Sequence, residues 1–264
     1  MDSYTSPIDG HVHLRWEEYD QPFAEWAIRD AKAVGLCAMV EQPNTIPYLD
    51  SHITLHRRIN FIDGIRGNIE HGIAVAITPD RQQREEALKE IEENERVVSG
   101  KTFLARSTAS GGIEIIEPYE QRNAWKHISN SPRGKNLVWE FHCEDESTFV
   151  GKFDPTKPES HAFKQHAGAE VVQFERQLDF AYEFGYSGIM VVKHVSNPET
   201  IRIGKDFQRR VKTHFRILYE TTWHHMFLNI EEDYPIHGNL VKMNPPLRHK
   251  SMQQDLLTHV LAGD

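Results

Sequence analysis

The chain has 264 residues, of which 39% are hydrophobic and 26% are charged, and its formal net charge at pH 7 is −9. This composition is typical of a globular protein, and the acidic balance argues against a nucleic-acid partner, whose binding face would be basic. No apolar run approaches the roughly 20 residues of a membrane-spanning helix, and the N-terminus lacks the features of a signal peptide. Its two cysteines, Cys37 and Cys143, cannot build a disulfide framework, so we expect a cytoplasmic protein without a membrane partner.

Short apolar segments alternate with amphipathic segments of helical length along the chain. Seven of the apolar segments are rich in valine, isoleucine, leucine and phenylalanine, which is typical of strands buried on both faces. They predict strands over residues 7–14, 36–41, 73–77, 101–104, 137–142, 188–194 and 215–220.

Three helices carry clear sequence signals. The first, over residues 23–34, has one apolar stripe that consists of Phe23, Trp26, Ala27, Ala31 and Val34. The second is predicted to start at Thr78-Pro79-Asp80, with Thr78 as its N-cap, and to continue as far as Val98. The segment Asn197-Pro198-Glu199 repeats this start signal after the sixth strand.

The repeated alternation of strands and helices predicts a parallel sheet with helices outside it. Seven strand–helix units favour an α/β fold of the TIM type, a (β/α)8 barrel, because no glycine-rich nucleotide loop follows any strand. The eighth strand is absent from this chain, which ends at Asp264 after the helix that would precede that strand. We therefore expect residues 1–264 to form one barrel domain that is incomplete at its C-terminal end.

Two histidines close the first predicted strand, in the segment Asp9-Gly10-His11-Val12-His13. Residues two apart on a strand point to the same side, so His11 and His13 present their imidazoles in one direction. Imidazole is a common zinc ligand, and barrel enzymes place their chemistry at the carboxyl ends of their strands. The alternative is a polar strand end whose histidines are solvated or hydrogen-bonded to neighbours.

Three more residues strengthen the metal interpretation. His142 and His194 lie where the fifth and sixth strands end, so four histidines from three strands would converge at one mouth of a barrel. Lys101 begins the predicted fourth strand, and a lysine entering a barrel interior is costly unless its charge is paired or removed. Carbamylation by CO2 would make its amine an anionic ligand able to bridge two metal ions. The alternative is a lysine whose ammonium reaches solvent.

Six sequence motifs are similar to those of one protein family. In chain order they are DGHVHLR at 9–15, QPNT at 42–45, KTFL at 101–104 followed by Ser107 and Thr108, HCED at 142–145, HVS at 194–196 and KMNPPLR at 242–248. Together they resemble the dihydroorotases of the amidohydrolase superfamily, in the family's order and over nearly the whole chain. The last motif is close to the Asn-Pro-Pro-Leu-Arg segment that particularly marks dihydroorotases.

The resemblance implies a binuclear zinc centre. One ion would take His11, His13 and a carboxylated Lys101, and the other would take Lys101, His142 and His194. A hydroxide that bridges the ions would attack the cyclic amide of dihydroorotate. The reverse reaction would close N-carbamoyl-aspartate during pyrimidine biosynthesis.

The resemblance also implies the residues that hold the substrate. Arg15 and Asn44 match those that bind its carboxylate, a task for which the planar fork of arginine is suited. Asn244 is a weaker candidate, because an Asx cap before the two prolines is an equally good interpretation. His224 and His225 resemble a histidine pair of the family, although a structural role is at least as well supported.

One element of the family pattern is missing. The family's catalytic aspartate lies at the end of strand eight, and Asp264 has no strand to position it, so we assign no catalytic acid or base. Three alternatives therefore stay open: a hydantoinase, an allantoinase, or a non-catalytic dihydroorotase-like subunit that supports a partner such as aspartate transcarbamoylase. The resemblance also implies a homodimer and a small-molecule substrate.

Overall fold

The computed structural model of the chain describes residues 7–15, 22–106 and 111–263. It divides into two compact units. Unit 1 contains the described residues of 1–102 and 109–113, and unit 2 contains those of 103–108 and 114–264.

Unit 1 contains parallel strands and three helices. The strands are β1 (Ile8–Val12), β2 (Ala38–Glu41), β3 (Glu70–Ala76) and β4 (Val97–Phe103), of which the last reaches unit 2 with its final residue. Each strand pairs in parallel with the next along the chain. The helices are α1 (Phe23–Ala33), α2 (His52–Asp63) and α3 (Arg81–Glu93).

Unit 2 repeats this pattern with three parallel strands. They are β5 (Val138–His142), β6 (Ile189–Val192) and β7 (Arg216–Tyr219), paired in chain order. The helices are α4 (Pro118–Asn130), α5 (Ser160–Lys164), α6 (Gly168–Glu183), α7 (Pro198–Arg210), α8 (Trp223–Phe227), α9 (Ile230–His237) and α10 (Lys250–Ala262). Among the helices described, none is both long and apolar enough to cross a membrane.

All seven predicted strands are present, and their alternation with helices confirms the predicted α/β class. No eighth strand follows β7 among the residues that the structure describes. The predicted start of α7 is also confirmed, because the side chain of Asn197 accepts a hydrogen bond from the backbone N–H of Glu199 at 3.1 Å.

The boundary predictions around α3 and β4 are wrong at both ends. The N-cap of α3 is Asp80 rather than Thr78, since the Asp80 carboxylate accepts the backbone N–H of Gln83 at 2.8 Å. The helix ends at Glu93, and Val98 lies in β4, which begins at Val97. Strand pairing between Val97 and Ile73 therefore prevails over the helical spacing of the apolar residues.

The predicted apolar stripe of α1 is only partly correct. The structure buries Ala24 and Ile28, together with Leu14, whereas Ala27 and Ala31 pack against this core from its edge. Phe23, Trp26 and Val34 are exposed. The buried face is thus rotated by one position, and the two aromatic rings contact each other edge to face at 5.4 Å.

The strand that ends at His142 is anchored by aromatic side chains of unit 2. Trp139 and Phe141 are buried, and their ring centroids lie 4.8 Å apart. Trp125 of α4 stacks on Phe141 at 5.5 Å and meets Tyr186 edge to face at 5.2 Å. Such close packing leaves little freedom to the end of β5, where the predicted ligand His142 lies.

Candidate metal and substrate site

The end of β1 brings two imidazoles of unit 1 together. Nε2 of His11 lies 3.2 Å from Nε2 of His13. Two nitrogen ligands of a tetrahedral zinc ion, each at about 2.0–2.1 Å from the metal, are separated by about 3.3 Å. The two histidines are therefore spaced as a pair of ligands for one ion.

Lys101, which also belongs to unit 1, lies inside β4 rather than at its start. It is paired with Ala76 of β3 and is 1% exposed, so its amine does not reach solvent. A buried ammonium is costly unless its charge is compensated or removed. This burial fits a lysine that is modified to a metal-binding carbamate.

The two predicted carboxylate-binding residues of unit 1 are neighbours. Nη1 of Arg15 donates a hydrogen bond to the backbone carbonyl of Asn44 at 3.1 Å. Asn44 is 7% exposed, and no hydrogen bond to its Oδ1 is present within the described parts of the chain. A buried amide oxygen without a partner is costly, and a bound ligand that donates a hydrogen bond would satisfy it.

A second imidazole pair lies in unit 2, at the ends of β5 and β6. Nδ1 of His142 lies 3.0 Å from Nε2 of His194, and both side chains are buried. Nε2 of His142 lies 3.0 Å from Oε2 of Glu144. With its Nε2–H donated to this carboxylate, His142 directs the lone pair of Nδ1 towards His194. Metal-ligating histidines almost always have such a partner on their other nitrogen.

His194 is held in an unfavourable backbone conformation. Its φ of 42° makes it the one non-glycine residue with positive φ among those the structure describes. Two hydrogen bonds flank it, from the Lys193 N–H to the Phe141 carbonyl at 3.0 Å and from the Val195 N–H to the Glu220 carbonyl at 2.6 Å. Strain of this kind costs about 1–3 kcal/mol and clusters at functional sites, where the surrounding structure maintains it.

Comparison with known sequences shows which proteins the chain is similar to. No protein-family model matches the chain. The dihydroorotase of Archaeoglobus fulgidus is 28% identical over 246 residues, and that of Listeria innocua is 29% identical over 265 residues. The chain is similar in sequence to the dihydroorotases. These matches cover 92% and 97% of the chain but 53% and 57% of the relatives, so the chain spans about half the length of the curated relatives it matches.

Comparison with solved structures concerns the fold of the chain. A D-hydantoinase superimposes with a TM-score of 0.75 at 18% identity, over 97% of this chain and 55% of its own. Dihydroorotase from Saccharomyces cerevisiae, in complex with 5-fluoroorotic acid, superimposes with a TM-score of 0.73 at 17% identity, over 97% of this chain and 66% of its own. This structural similarity confirms the predicted fold class.

One residue of the candidate site was not assigned from the sequence, although it lies within a motif. Glu144 is 1% exposed and positions His142 through the hydrogen bond described above. Its other oxygen, Oε1, lies 3.9 Å from Nη2 of the buried Arg248. The available signal was a carboxylate two residues after a predicted ligand, at the spacing where strand side chains share a side.

The structure also places the weaker candidates of unit 2. Oδ1 of Asn244 lies 2.9 Å from Nε2 of His161, so the imidazole of His161 orients this side-chain amide. The Asx cap considered from the sequence is therefore not its sole interpretation. His225 is buried in α8 and engages both its nitrogens with protein atoms, which supports its structural interpretation. Ser107, Thr108 and Asp264 lie outside the described residues.

Proposed function

We propose that this chain is a zinc-dependent hydrolase of cyclic amides that interconverts dihydroorotate and N-carbamoyl-aspartate in pyrimidine biosynthesis. The similarity to dihydroorotases supports the choice of substrate. The single observation that supports zinc-dependent hydrolysis is the presence of the two imidazole pairs. Each pair has the nitrogen separation that one tetrahedral ion requires.

The ligand assignment follows the donor sets. His11 and His13 would hold one zinc ion with Lys101, and His142 and His194 would hold a second. A carboxylated Lys101 would be the shared ligand that the family resemblance implies. We also propose that residues 1–264 belong to a single amidohydrolase domain. Bound zinc would activate water and polarise the amide carbonyl.

The polar side chains of unit 1 would orient the substrate. The hydrogen bond from Arg15 to the backbone carbonyl of Asn44 keeps the guanidinium next to this residue. The guanidinium and the side-chain amide of Asn44 would then bind one carboxylate. Arginine binds carboxylates through two parallel N–H donors, which fixes their orientation as well as their position. Asn244 is the third proposed substrate contact, oriented by His161.

Metal analysis of paired variants tests this proposal. We expect H11A/H13A and H142A/H194A each to bind about one zinc ion fewer than the unsubstituted chain, because each pair supplies two of an ion's ligands. Zinc content is measured by plasma mass spectrometry after dialysis, and turnover by the conversion of dihydroorotate. The matched control is H214A/H237A, which removes two exposed histidines.

Three results would contradict the proposal. Unchanged zinc content in both ligand variants would exclude the metal assignment. Zinc binding without turnover would favour a non-catalytic subunit. Turnover of hydantoins in place of dihydroorotate would favour the second candidate function, to which the structural similarity to hydantoinases points.

Replacing Glu144 by glutamine tests the positioning of His142. We expect zinc affinity at the His142–His194 pair to fall about 10–100-fold, because the amide no longer fixes the tautomer of His142 as a carboxylate does. The measurement is competition with a chromophoric chelator. Glu146→Gln, which changes a carboxylate that pairs with the exposed Arg106, is the control and should leave the affinity unchanged.

The remaining proposals concern assembly and location. We propose a homodimer in the cytoplasm, with aspartate transcarbamoylase as a candidate partner, as the family resemblance implies. Light scattering of the purified chain, alone and mixed with the transcarbamoylase, checks both associations. A monomer that forms no complex would contradict them.

A further inference from the structure

Three metal-ligating side chains meet where α2 and α3 pack in unit 1. His52 and His56 are four residues apart in α2, so they lie on the same face of this helix. Their ring centroids are 4.1 Å apart. Glu90 of α3 faces both rings, with Oε1 at 2.6 Å from Nδ1 of His52 and Oε2 at 3.8 Å from Nε2 of His56.

The cluster combines one mostly buried carboxylate with two exposed imidazoles that can rotate. The side chain of Glu90 is 12% exposed, and its Oε2 also accepts a hydrogen bond from Nδ2 of Asn94 at 3.4 Å. The rings of His52 and His56 are 66% and 48% exposed, so each can rotate at small cost. Glu93 and Glu95 line the same surface depression and make it electrostatically favourable for a cation.

We propose that His52, His56 and Glu90 bind one zinc ion. One atom from each side chain lies within 4.8 Å of the others, and the 2.6 and 3.8 Å separations lie on either side of the about 3.3 Å of tetrahedral ligands. The ion replaces the His52–Glu90 hydrogen bond and leaves its fourth position to water. The site shares no residue with the proposed hydrolase centre and does not depend on the proposed function.

The ion has a structural consequence. Its ligands come from the first two turns of α2 and the last turn of α3, so it joins these two helices within unit 1. Because the ligands are brought together only in the folded chain, zinc stabilises the fold by binding to it. Nickel and copper ions also suit two imidazoles and a carboxylate.

Zinc binding to substituted chains tests the proposal. We expect H52A/H56A to bind one equivalent fewer zinc than the unsubstituted chain in equilibrium dialysis at micromolar free zinc. Its melting temperature should rise less on addition of zinc. Glu90→Gln should weaken this equivalent about tenfold or more, whereas Glu86→Gln, on an exposed face of α3, should not.

A residue-specific measurement separates this site from the other histidine pairs and needs no substitution. Diethyl pyrocarbonate modifies accessible imidazoles, and mass spectrometry locates the modified residues. We expect zinc to protect His52 and His56 while the exposed His214 stays reactive. Unchanged zinc content in H52A/H56A, or equal modification of His52 with and without zinc, would overturn the proposal and leave the cluster as an ion pair.

Discussion

Replacing Arg58 with methionine should lower the free energy of unfolding by about 3–5 kcal/mol, because it leaves a buried carboxylate without its main partner. Arg58 of α2 and Glu41 of β2 are both 0% exposed. Nε of Arg58 donates to the two carboxylate oxygens of Glu41 at 2.8 and 3.0 Å, and its Nη2 donates to Oε1. Urea unfolding of the purified chain measures the loss.

The ion pair belongs to a larger hydrogen-bond network, which explains why replacing Arg58 by methionine is costly. Oε2 of Glu41 also lies 3.1 Å from Nε2 of His71, and Nδ1 of His71 lies 2.9 Å from Nη2 of Arg96. Arg96 in turn donates to Asp63 at 2.9 Å. Removing Arg58 therefore leaves Glu41 with the hydrogen bond to His71, and this one contact does not replace the several hydrogen bonds of the ion pair.

Two further variants distinguish charge from packing. Arg57→Met changes an exposed neighbour on the same helix, so we expect a change within about 0.5 kcal/mol. The double variant E41L/R58M replaces both charges by apolar groups and should recover most of the loss. A loss in the double variant as large as in Arg58→Met alone would contradict the electrostatic explanation and assign the effect to lost packing.

The positions of the proposed ligand residues could be predicted because their signals are local. His11 and His13 are two apart at a strand end, and His142 and His194 each follow an apolar run, so sequence alone places them at strand ends. Sequence could not show which ring nitrogens face each other. That depends on rotamers and on hydrogen bonds such as the one from His142 to Glu144, which form only in the folded chain.

Other features were hidden because tertiary contacts override local patterns. Arg58 occupies the buried stripe of α2 between Leu55 and Ile62, at helical spacing, yet its charge makes the position look exposed in the sequence. The wrong extension of α3 to Val98 has the same origin, because Val98 continues a helical spacing but belongs to a paired strand. The positive φ of His194 could not be predicted from the sequence, because the presence of a histidine does not require this conformation.

Acid should destabilise this chain through His225, and His225→Gln should remove that sensitivity. Burial lowers the pKa of His225 to about 3, an effect that the hydrogen bond to Pro245 opposes and the positive Arg248 reinforces. Nε2–H donates to the Pro245 carbonyl at 3.0 Å, and Nδ1 accepts the hydroxyl of Thr222 at 3.0 Å. The bond from Thr222 requires the neutral ring, because a protonated Nδ1 cannot accept, and glutamine retains a donor for Pro245.

The sign of the effect follows from the two protonation states. In the unfolded chain this histidine titrates near its ordinary pKa of about 6.5, so below that pH the unfolded state binds one proton that the native state does not. The stabilising contribution is complete above about pH 6.5 and is lost as the pH falls towards 3, at about 1.4 kcal/mol per pH unit and about 4–5 kcal/mol in total.

Urea unfolding between pH 7 and pH 4 measures this slope, and the adjacent histidine supplies the control. We expect His225→Gln to reduce the slope of the unfolding free energy against pH by the amount that corresponds to about one proton. His224→Gln, at an exposed position of α8, should leave this slope unchanged. Equal slopes in all three chains would contradict a neutral, buried His225. The Nε2–H of a protonated His225 can still donate to the Pro245 carbonyl, so the loss of stability in acid comes from the buried charge and from the lost bond between the Thr222 hydroxyl and Nδ1.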